Sequence, residues 1–257
     1  MLIAVTREVS PAIVRCELTH LERIAIDIDL ARAQHHAYER ALEEAGCTIV
    51  RVEAAPGLSD AVFVEDAAVV LSEVAIIMRP GAPSRRAETP AVADVVGRYR
   101  SLRLIDAPGT IDGGDVLVAG RRVFAGLSGR TNSAAVEQMR TMLGPHGYDV
   151  HAVPVTGCLH LKSAVTALTD DRLLINPEWV ARDLFSTFDL VEVEPHEPYA
   201  ANIVRVGEEL VYPGSFPRTL ERLERLGFRV RTVEVGELAK AEGAVTCCSL
   251  IFEDQSV

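Results

Sequence analysis

Residues able to form a hydrolytic site with a covalent nucleophile occur at widely separated positions of the chain. The thiol pair Cys247-Cys248 lies far from His160, and two acidic clusters, Glu65-Asp66 and Asp112-Gly-Gly-Asp115, lie further upstream. A cysteine assisted by a histidine and carboxylates is a known nucleophilic arrangement. The residue types therefore indicate covalent cysteine catalysis, although their spacing in sequence does not by itself show that they meet.

Each of these polar groups also has a structural interpretation. Asp112 and Asp115 flank two glycines, and either carboxylate would equally well cap a tight turn. His160 stands between two leucines, a pattern more typical of a satisfied core histidine. Glu65 and Asp66 also stand between apolar residues, where an unpaired charge is costly, and this favours a functional role for that pair.

Only one of the two adjacent cysteines is expected to face a shared site. On an extended segment Cys247 and Cys248 point to opposite sides, and the other thiol then behaves as a small core hydrophobe. The remaining cysteines, Cys16, Cys47 and Cys158, are expected to be inert. An odd total of five cysteines without a C-x-x-C motif predicts neither a disulfide framework nor a zinc site.

A repeated unit is the scaffold that would bring the polar groups together. Each unit has a short apolar strand, a polar turn, a second apolar strand, a loop and often a helix. The first strands are 48, 48, 39 and 46 residues apart and begin near Ala68, Val116, Ala164, Ile203 and Ser249. Such a period indicates a propeller or a solenoid. In a closed ring, equivalent positions of the units face one central channel.

Closure of the ring and a lid are predicted from the first residues of the chain. The fifth unit has one strand only, and Met1–Val5 is expected to complete it, because closure removes exposed sheet edges. Excess length between the last and the first unit is expected in a lid loop over about residues 8–27. A helix over Leu30–Ala45, capped by Asp29, is expected to follow. The prediction is a single α/β domain over residues 1–257, with pseudo-fivefold repeats around a central channel.

The composition argues against several classes of function. A net charge of −11 makes nucleic acid a poor partner, whereas a cationic small ligand suits this field. No apolar run approaches the ~20 residues that a membrane-spanning helix needs, so no membrane partner is expected. The first residues do not read as a signal peptide, and a reducing cytoplasm is the expected location.

Six sequence motifs, in this order, resemble the dimethylarginine dimethylaminohydrolase family. They read FVEDAAVV, RPGAPSRR, IDGGDVL, GLSGRTN, LHLKS and TCCS, and the resemblance extends from Met1 to Phe252. The fold of this guanidine-modifying superfamily is the pentein fold, a five-bladed α/β propeller, in agreement with the repeat count. The resemblance implies a dimethylargininase, a hydrolase that converts asymmetric dimethylarginine or monomethylarginine to L-citrulline and dimethylamine or methylamine.

The resemblance also implies a role for each matching residue. Cys247 corresponds to the nucleophile, His160 to the general acid and base, and Asp112 to a guanidinium-binding carboxylate that is Glu in some relatives. The residues that correspond to other substrate contacts are Asp66 and Glu65 at the guanidinium, Asp60 at the α-amine, Arg85 and Arg130 at the α-carboxylate, and Leu18 in the lid. The lid sequence, residues 11–20, matches the family least.

The implied chemistry needs neither a metal nor an organic cofactor. Two carboxylates hold the planar guanidinium, and its positive charge favours the thiolate of Cys247. His160 protonates the leaving amine and then acts as the base while water hydrolyses the covalent thiouronium intermediate. A zinc ion on Cys247 and His160 would inhibit, because it needs the same lone pairs.

Two other functions compete with this interpretation. An arginine deiminase-like hydrolase would share nearly all the catalytic residues, but the chain has no room for the extra helical domain usual in that family. A protein that only binds arginine-like ligands has no need of a nucleophile and a proton carrier together. Agmatine-type substrates are disfavoured because Arg85 and Arg130 imply a substrate carboxylate. The expected partner is a small methylated arginine, and the chain is expected to be a monomer or a homodimer.

Overall fold

The computed structural model of the chain describes residues 1–255. The helices are α1 (Ile28–Glu44), α2 (Thr89–Val96), α3 (Ser133–Leu143), α4 (Leu161–Ala164), α5 (Pro217–Arg225) and α6 (Gly236–Ala239). The strands are β1 (Leu2–Thr6), β2 (Cys47–Arg51), β3 (Ala68–Val70), β4 (Ala75–Ile77), β5 (Leu102–Leu104), β6 (Val116–Ala119), β7 (Arg122–Leu127), β8 (Asp149–Pro154), β9 (Val165–Ala167), β10 (Arg172–Ile175), β11 (Asp189–Glu192), β12 (Val204–Val206), β13 (Glu209–Pro213), β14 (Arg229–Val233) and β15 (Leu250–Glu253).

These strands form five three-stranded sheets with one shared topology. In every sheet the middle strand pairs antiparallel with one outer strand and parallel with the other. The antiparallel outer strand is called the first strand of its blade and the parallel one the third. Residues of all five first strands, β3, β6, β9, β12 and β15, line one common cavity. The first strands therefore surround a central channel, and the predicted five-bladed α/β propeller is confirmed.

The first strand of the chain closes the ring as predicted. Strand β1 pairs antiparallel with β15, from Leu2 opposite Glu253 to Val5 opposite Leu250. It also pairs in parallel with β2, so the fifth blade combines strands from both ends of the described chain. This pairing covers the edges that β1 and β15 would otherwise expose.

The third strand of each blade was not predicted from the sequence. Most residues of these strands are exposed or only partly buried, so they form no buried apolar run. The third unit is shorter than the others, with a spacing of 39 residues to the next unit, for a structural reason. Its second and third strands, β10 and β11, are joined by a 3-10 turn, Arg182–Phe185, where other blades have a longer helix.

The N-terminus of α1 differs from the prediction by two residues. The side chain of Asp27, not Asp29, accepts the backbone N–H groups of Asp29 and Leu30, at 3.1 and 3.0 Å. Gly46 ends the helix region with a φ of +104°, a conformation that favours glycine. His35 is buried, because it lies on the inward face of α1 together with Ala31, Tyr38 and Leu42.

The predicted domain of residues 1–257 includes residues 256–257, which lie outside the described residues. Within residues 1–255, no helix combines the length and the apolar character needed to cross a membrane.

Candidate active site

Short helical turns place polar side chains at one end of the channel in four of the five blades. Each turn directly precedes the first strand of its blade; the turns are Val64–Ala67, Gly113–Asp115, Leu161–Ala164 and Thr246–Cys248. Because the blades are arranged in a ring, these equivalent turns converge. The extended segment predicted for Cys247-Cys248 is wrong, since both residues belong to a 3-10 turn.

The two adjacent thiols nevertheless have different surroundings. Cys247 is half-buried and lines a cavity with His160 and Asp66. Its Sγ accepts the N–H of Ala244 at 3.4 Å. Burial, together with the negative charges of the nearby carboxylates, raises the pKa of Cys247 well above its usual value. Cys248 is fully buried in the apolar core, so Cys247 is the thiol available to a ligand.

His160 lies between two carboxylates in the buried wall of this cavity. Its Nε2 is 3.0 Å from Oδ2 of Asp112, and its Nδ1 is 3.9 Å from Oδ1 of Asp66. Burial favours the neutral ring, but Asp66, Asp112 and Asp115 outweigh it and raise the pKa of His160 to about 9. At neutral pH the ring is an imidazolium, able to act as a general acid.

Asp115 supports the histidine without facing the cavity. Its carboxylate accepts the backbone N–H of Leu161, directly after His160, at 2.9 Å. The hydroxyl groups of Ser128 and Thr131 also donate to it, each at 2.6 Å. Asp115 therefore fixes the turn that carries His160, which matches the structural interpretation of this carboxylate.

Asp66 and Asp112 place oxygen atoms beside the two ring nitrogens of His160; Asp66 lines the cavity, whereas Asp112 is fully buried. Asp66 accepts the N–H of Gly114 at 2.9 Å, and Asp112 accepts the N–H of Gly81 at 2.8 Å. Burial alone would raise the pKa of Asp66, but His160 and Arg85 lower it to about 2. A Cβ at Gly114 would lie 2.6 Å from Nδ1 of His160, so a glycine is needed for this close approach.

Glu65 faces away from His160 into a second polar cluster. Lys162 Nζ lies 2.5 Å from its carboxylate, and the hydroxyl of Thr246 donates to it at 2.8 Å. Asn202 in turn accepts the N–H of Thr246 at 3.0 Å. The sequence motifs assign no role to Lys162, Thr246 or Asn202. These contacts link the turn that carries Cys247 to three other blades, those of Glu65, Lys162 and Asn202.

Arg85 is enclosed by acidic groups in the same wall. Its Nη1 is 2.5 Å from Asp66, and its Nη2 is 2.9 Å from Glu88. Nη2 also donates to the backbone oxygens of Asp60 and Phe63, both at 3.3 Å. Sequence motifs gave no signal for Glu88, whose pKa is raised to about 7 by burial.

The lid contacts the remaining predicted binding residues. Both oxygens of Asp60 accept the N–H of Glu17 at 3.2 Å. Nη2 of Arg130 donates to Thr19 Oγ1 at 3.0 Å, while its buried Nη1 has no hydrogen-bond partner among the described residues. Leu18 packs against the apolar core, and its neighbour Glu17 lines the cavity.

The cavity lined by Cys247, His160, Asp66 and Arg130 is small, with a volume of about 10 Å³. That is roughly the room for one water molecule. A guanidinium therefore enters only when the lid or a wall side chain moves.

Three ligand atoms of Asp66, Asp112 and His160 lie within 4.8 Å of one another, a spacing that a metal ion could bridge. The imidazolium form of His160 has no free lone pair for a metal. The arrangement at neutral pH therefore suits proton transfer and cation binding.

Known proteins are similar to this chain in sequence and in fold. A family model described as N,N dimethylarginine dimethylhydrolase, eukaryotic, matches residues 18–187. The chain is 44% identical over 249 residues to an N(G),N(G)-dimethylarginine dimethylaminohydrolase of Streptomyces coelicolor, covering 96% of this chain and 95% of the relative. A Cys-to-Ser variant of the Pseudomonas aeruginosa enzyme, complexed with citrulline, matches with a TM-score of 0.93 and 36% identity over 97% of this chain and 98% of that chain.

A more distant structure shares the fold alone. The N-terminal domain of an arginine dihydrolase from cyanobacteria matches with a TM-score of 0.90 at 21% identity, and the match covers 98% of both chains. The same blade arrangement thus occurs in proteins described by different substrates, so the fold by itself does not select one.

Proposed function

The chain belongs to the dimethylarginine dimethylaminohydrolase family, and from this premise we propose that it hydrolyses Nω-methylated arginines to L-citrulline and dimethylamine or methylamine. The observation that carries the proposal is the convergence of Cys247, His160 and Asp66 on one cavity. Residues 1–257 act as a single catalytic domain, with residues 8–27 as its lid. All five cysteines are free, which supports a reducing, cytoplasmic location.

The substrate guanidinium binds between Asp66 and Asp112. Each carboxylate oxygen can accept two hydrogen bonds, so Asp66 keeps acceptor positions for the substrate while it stays bonded to Gly114 and Arg85. The buried carboxylates also favour the charged form of the ligand. Asp112 is one methylene shorter than the Glu of some relatives, and its bond to the N–H of Gly81 fixes its reach.

The other end of the substrate binds beneath the lid. Nη1 of Arg130 makes no hydrogen bond to the described residues and lies 3.7 Å from Oδ2 of Asp112, so its N–H groups can donate to the α-carboxylate. Arg85 has five N–H groups, and its contacts with protein atoms leave one on Nη1 for the same carboxylate. The buried carboxylate of Asp60 accepts the α-ammonium. Leu18 supports this end from the lid.

Catalysis begins when the bound cation lowers the pKa of the Cys247 thiol. The thiol proton leaves to solvent, and the thiolate attacks the guanidinium carbon to form a C–S bond. The imidazolium of His160 gives its proton to the methylated nitrogen, and the C–N bond breaks with release of the amine. Neutral His160 then takes a proton from water as the water oxygen bonds to the thiouronium carbon. Cleavage of the C–S bond releases citrulline and restores the thiolate.

The first experiment measures citrulline from asymmetric dimethylarginine and from plain arginine, with wild type and Cys247→Ser. Citrulline from the methylated substrate alone, lost in the variant, is the expected result. Citrulline from plain arginine would instead identify an arginine deiminase-like enzyme. Binding of either arginine without any product would identify a binding protein.

A further inference from the structure

The carboxylate of Glu242 binds the tip of the lid through three consecutive backbone groups. Its Oε2 accepts the N–H of Thr19 at 3.0 Å, and its Oε1 accepts those of His20 and Leu21 at 2.5 and 2.6 Å. A carboxylate on backbone N–H groups forms charge-assisted hydrogen bonds, which are stronger than neutral ones.

The backbone of Glu242 has a left-handed conformation that a glutamate rarely adopts. Its φ of +57° makes it the one non-glycine residue with positive φ among residues 1–255. It follows α6 at the position where a left-handed residue ends a helix: the N–H of Glu242 donates to Ala239, and that of Gly243 donates to Leu238. Glycine or asparagine is usual there. A strained glutamate at this position points to a compensating function.

Glu242 also lies in the wall between two cavities. It lines the catalytic cavity together with Cys247 and His160. It lines as well an adjoining, mainly apolar cavity of about 210 Å³, whose other walls include His20 and Leu21 of the lid tip. The left-handed backbone thus places the carboxylate where the lid covers both spaces.

We infer that Glu242 is a positioning residue that holds the lid tip, residues 17–21, closed over Cys247. Only the expected changes in KM and kcat depend on the proposed hydrolysis. With the lid tip closed, the catalytic cavity has room for about one water, so opening of these three hydrogen bonds gives substrate a route to Cys247. Closure then places the N–H of Glu17 on Asp60 and Thr19 on Arg130, two of the substrate-binding side chains.

The test compares Glu242→Gln and Glu242→Gly with the control Glu237→Gln. Glu237 is a carboxylate on α6 that accepts the N–H of Asp27, the last residue of the lid, and so contacts the base of the lid but not its tip. Measured are amide hydrogen exchange of residues 19–21, thermal unfolding, and KM and kcat for asymmetric dimethylarginine. Both Glu242 variants should exchange these amides at least about tenfold faster and raise KM about tenfold, with kcat changed less than about threefold.

Glu242→Gly separates this role from a purely structural one. Glycine relieves the positive φ, so its melting temperature should equal or exceed that of wild type although the lid amides exchange faster. Wild-type exchange at residues 19–21 in both variants, or an unchanged KM, would overturn the inference. A wild-type protein without turnover would instead overturn the proposed function, and the exchange measurement would still decide the role of Glu242.

Discussion

The Nη1 atom of Arg85 lies 2.5 Å from the carboxylate of Asp66, with both side chains buried. Glu88 binds the same guanidinium from another side at 2.9 Å. The carboxylate expected to bind a substrate guanidinium therefore already carries an arginine of the protein itself. His160 and Arg85 together keep Asp66 ionised, and Arg85 also orients it, so removal of the Asp66 or Arg85 charge should affect the site more than the loss of one substrate contact.

Asp66→Asn should weaken binding of the cationic substrate strongly. The variant leaves the Arg85 charge and the substrate charge facing a neutral amide, and breaking a buried hydrogen-bonded ion pair costs about 2–5 kcal/mol. We expect KM for asymmetric dimethylarginine to rise at least about 30-fold. Steady-state kinetics measure this, with the exposed Asp183→Asn as the control. Kinetics equal to those of the control would remove Asp66 from the site.

The two adjacent thiols should respond oppositely to replacement by serine. Cys247→Ser should lower turnover by a factor on the order of 10⁴ or more, because an unactivated hydroxyl is a poor nucleophile. Cys248→Ser places a hydroxyl in the apolar core. The thiol of Cys248 donates to the carbonyl oxygen of Ala244 at 3.5 Å, and the serine hydroxyl can donate to the same oxygen. This substitution should cost about 1–3 kcal/mol of stability and largely spare turnover. The reverse pattern of citrulline release would make Cys248 the nucleophile.

The sequence predicts the ring better than the site, for a physical reason. Strands such as β6 and β13 are mostly buried, so their residues are mostly apolar, and these apolar runs are visible in the sequence. The repeat also predicts that His160 and Cys247 converge. It does not predict the Arg85–Asp66 pair, because that contact depends on side-chain rotamers and on Glu88, whose local sequence carries no motif.

The lid is the second part that the sequence does not predict in detail. Its length suggested a cover over about residues 8–27, but the residue that holds it, Glu242, lies more than 200 positions later in the chain. The left-handed backbone conformation of Glu242 is one in which glycine is usual, so a glutamate at this position gives no sign of it in the sequence. Long-range contacts of this kind become visible only when the fold is known.

His35 should make the fold sensitive to acid. The ring is buried, neither of its nitrogens has a hydrogen-bond partner among residues 1–255, and burial lowers its pKa to about 4. A histidine pKa depressed from its unfolded value of about 6.5 contributes stability above that value, and the contribution is lost as pH falls toward 4. Glu39, His36 and Arg51 are the charged neighbours that modify this shift.

Chemical denaturation at pH 7.5 and pH 5 measures the contribution of His35. Wild type should lose about 2 kcal/mol more than His35→Phe over this interval. The control His36→Phe changes the exposed neighbour and should keep most of the wild-type loss, because burial and not His36 is the main cause of the low pKa of His35. Equal losses in wild type and His35→Phe would show that the buried ring does not titrate in this range.

His160 should have the opposite effect on stability, at alkaline pH. Its carboxylate neighbours Asp66, Asp112 and Asp115 outweigh burial and raise its pKa to about 9, above the unfolded value of about 6.5. The protonated ring therefore stabilises the fold fully below pH 6.5, and this stabilisation is lost as pH rises through 9, by about 3 kcal/mol at most. Denaturation between pH 6.5 and 9.5 should show this slope in wild type and not in His160→Asn. The same slope in both proteins would mean that His160 is neutral in the folded state, and a neutral ring could not protonate the leaving amine.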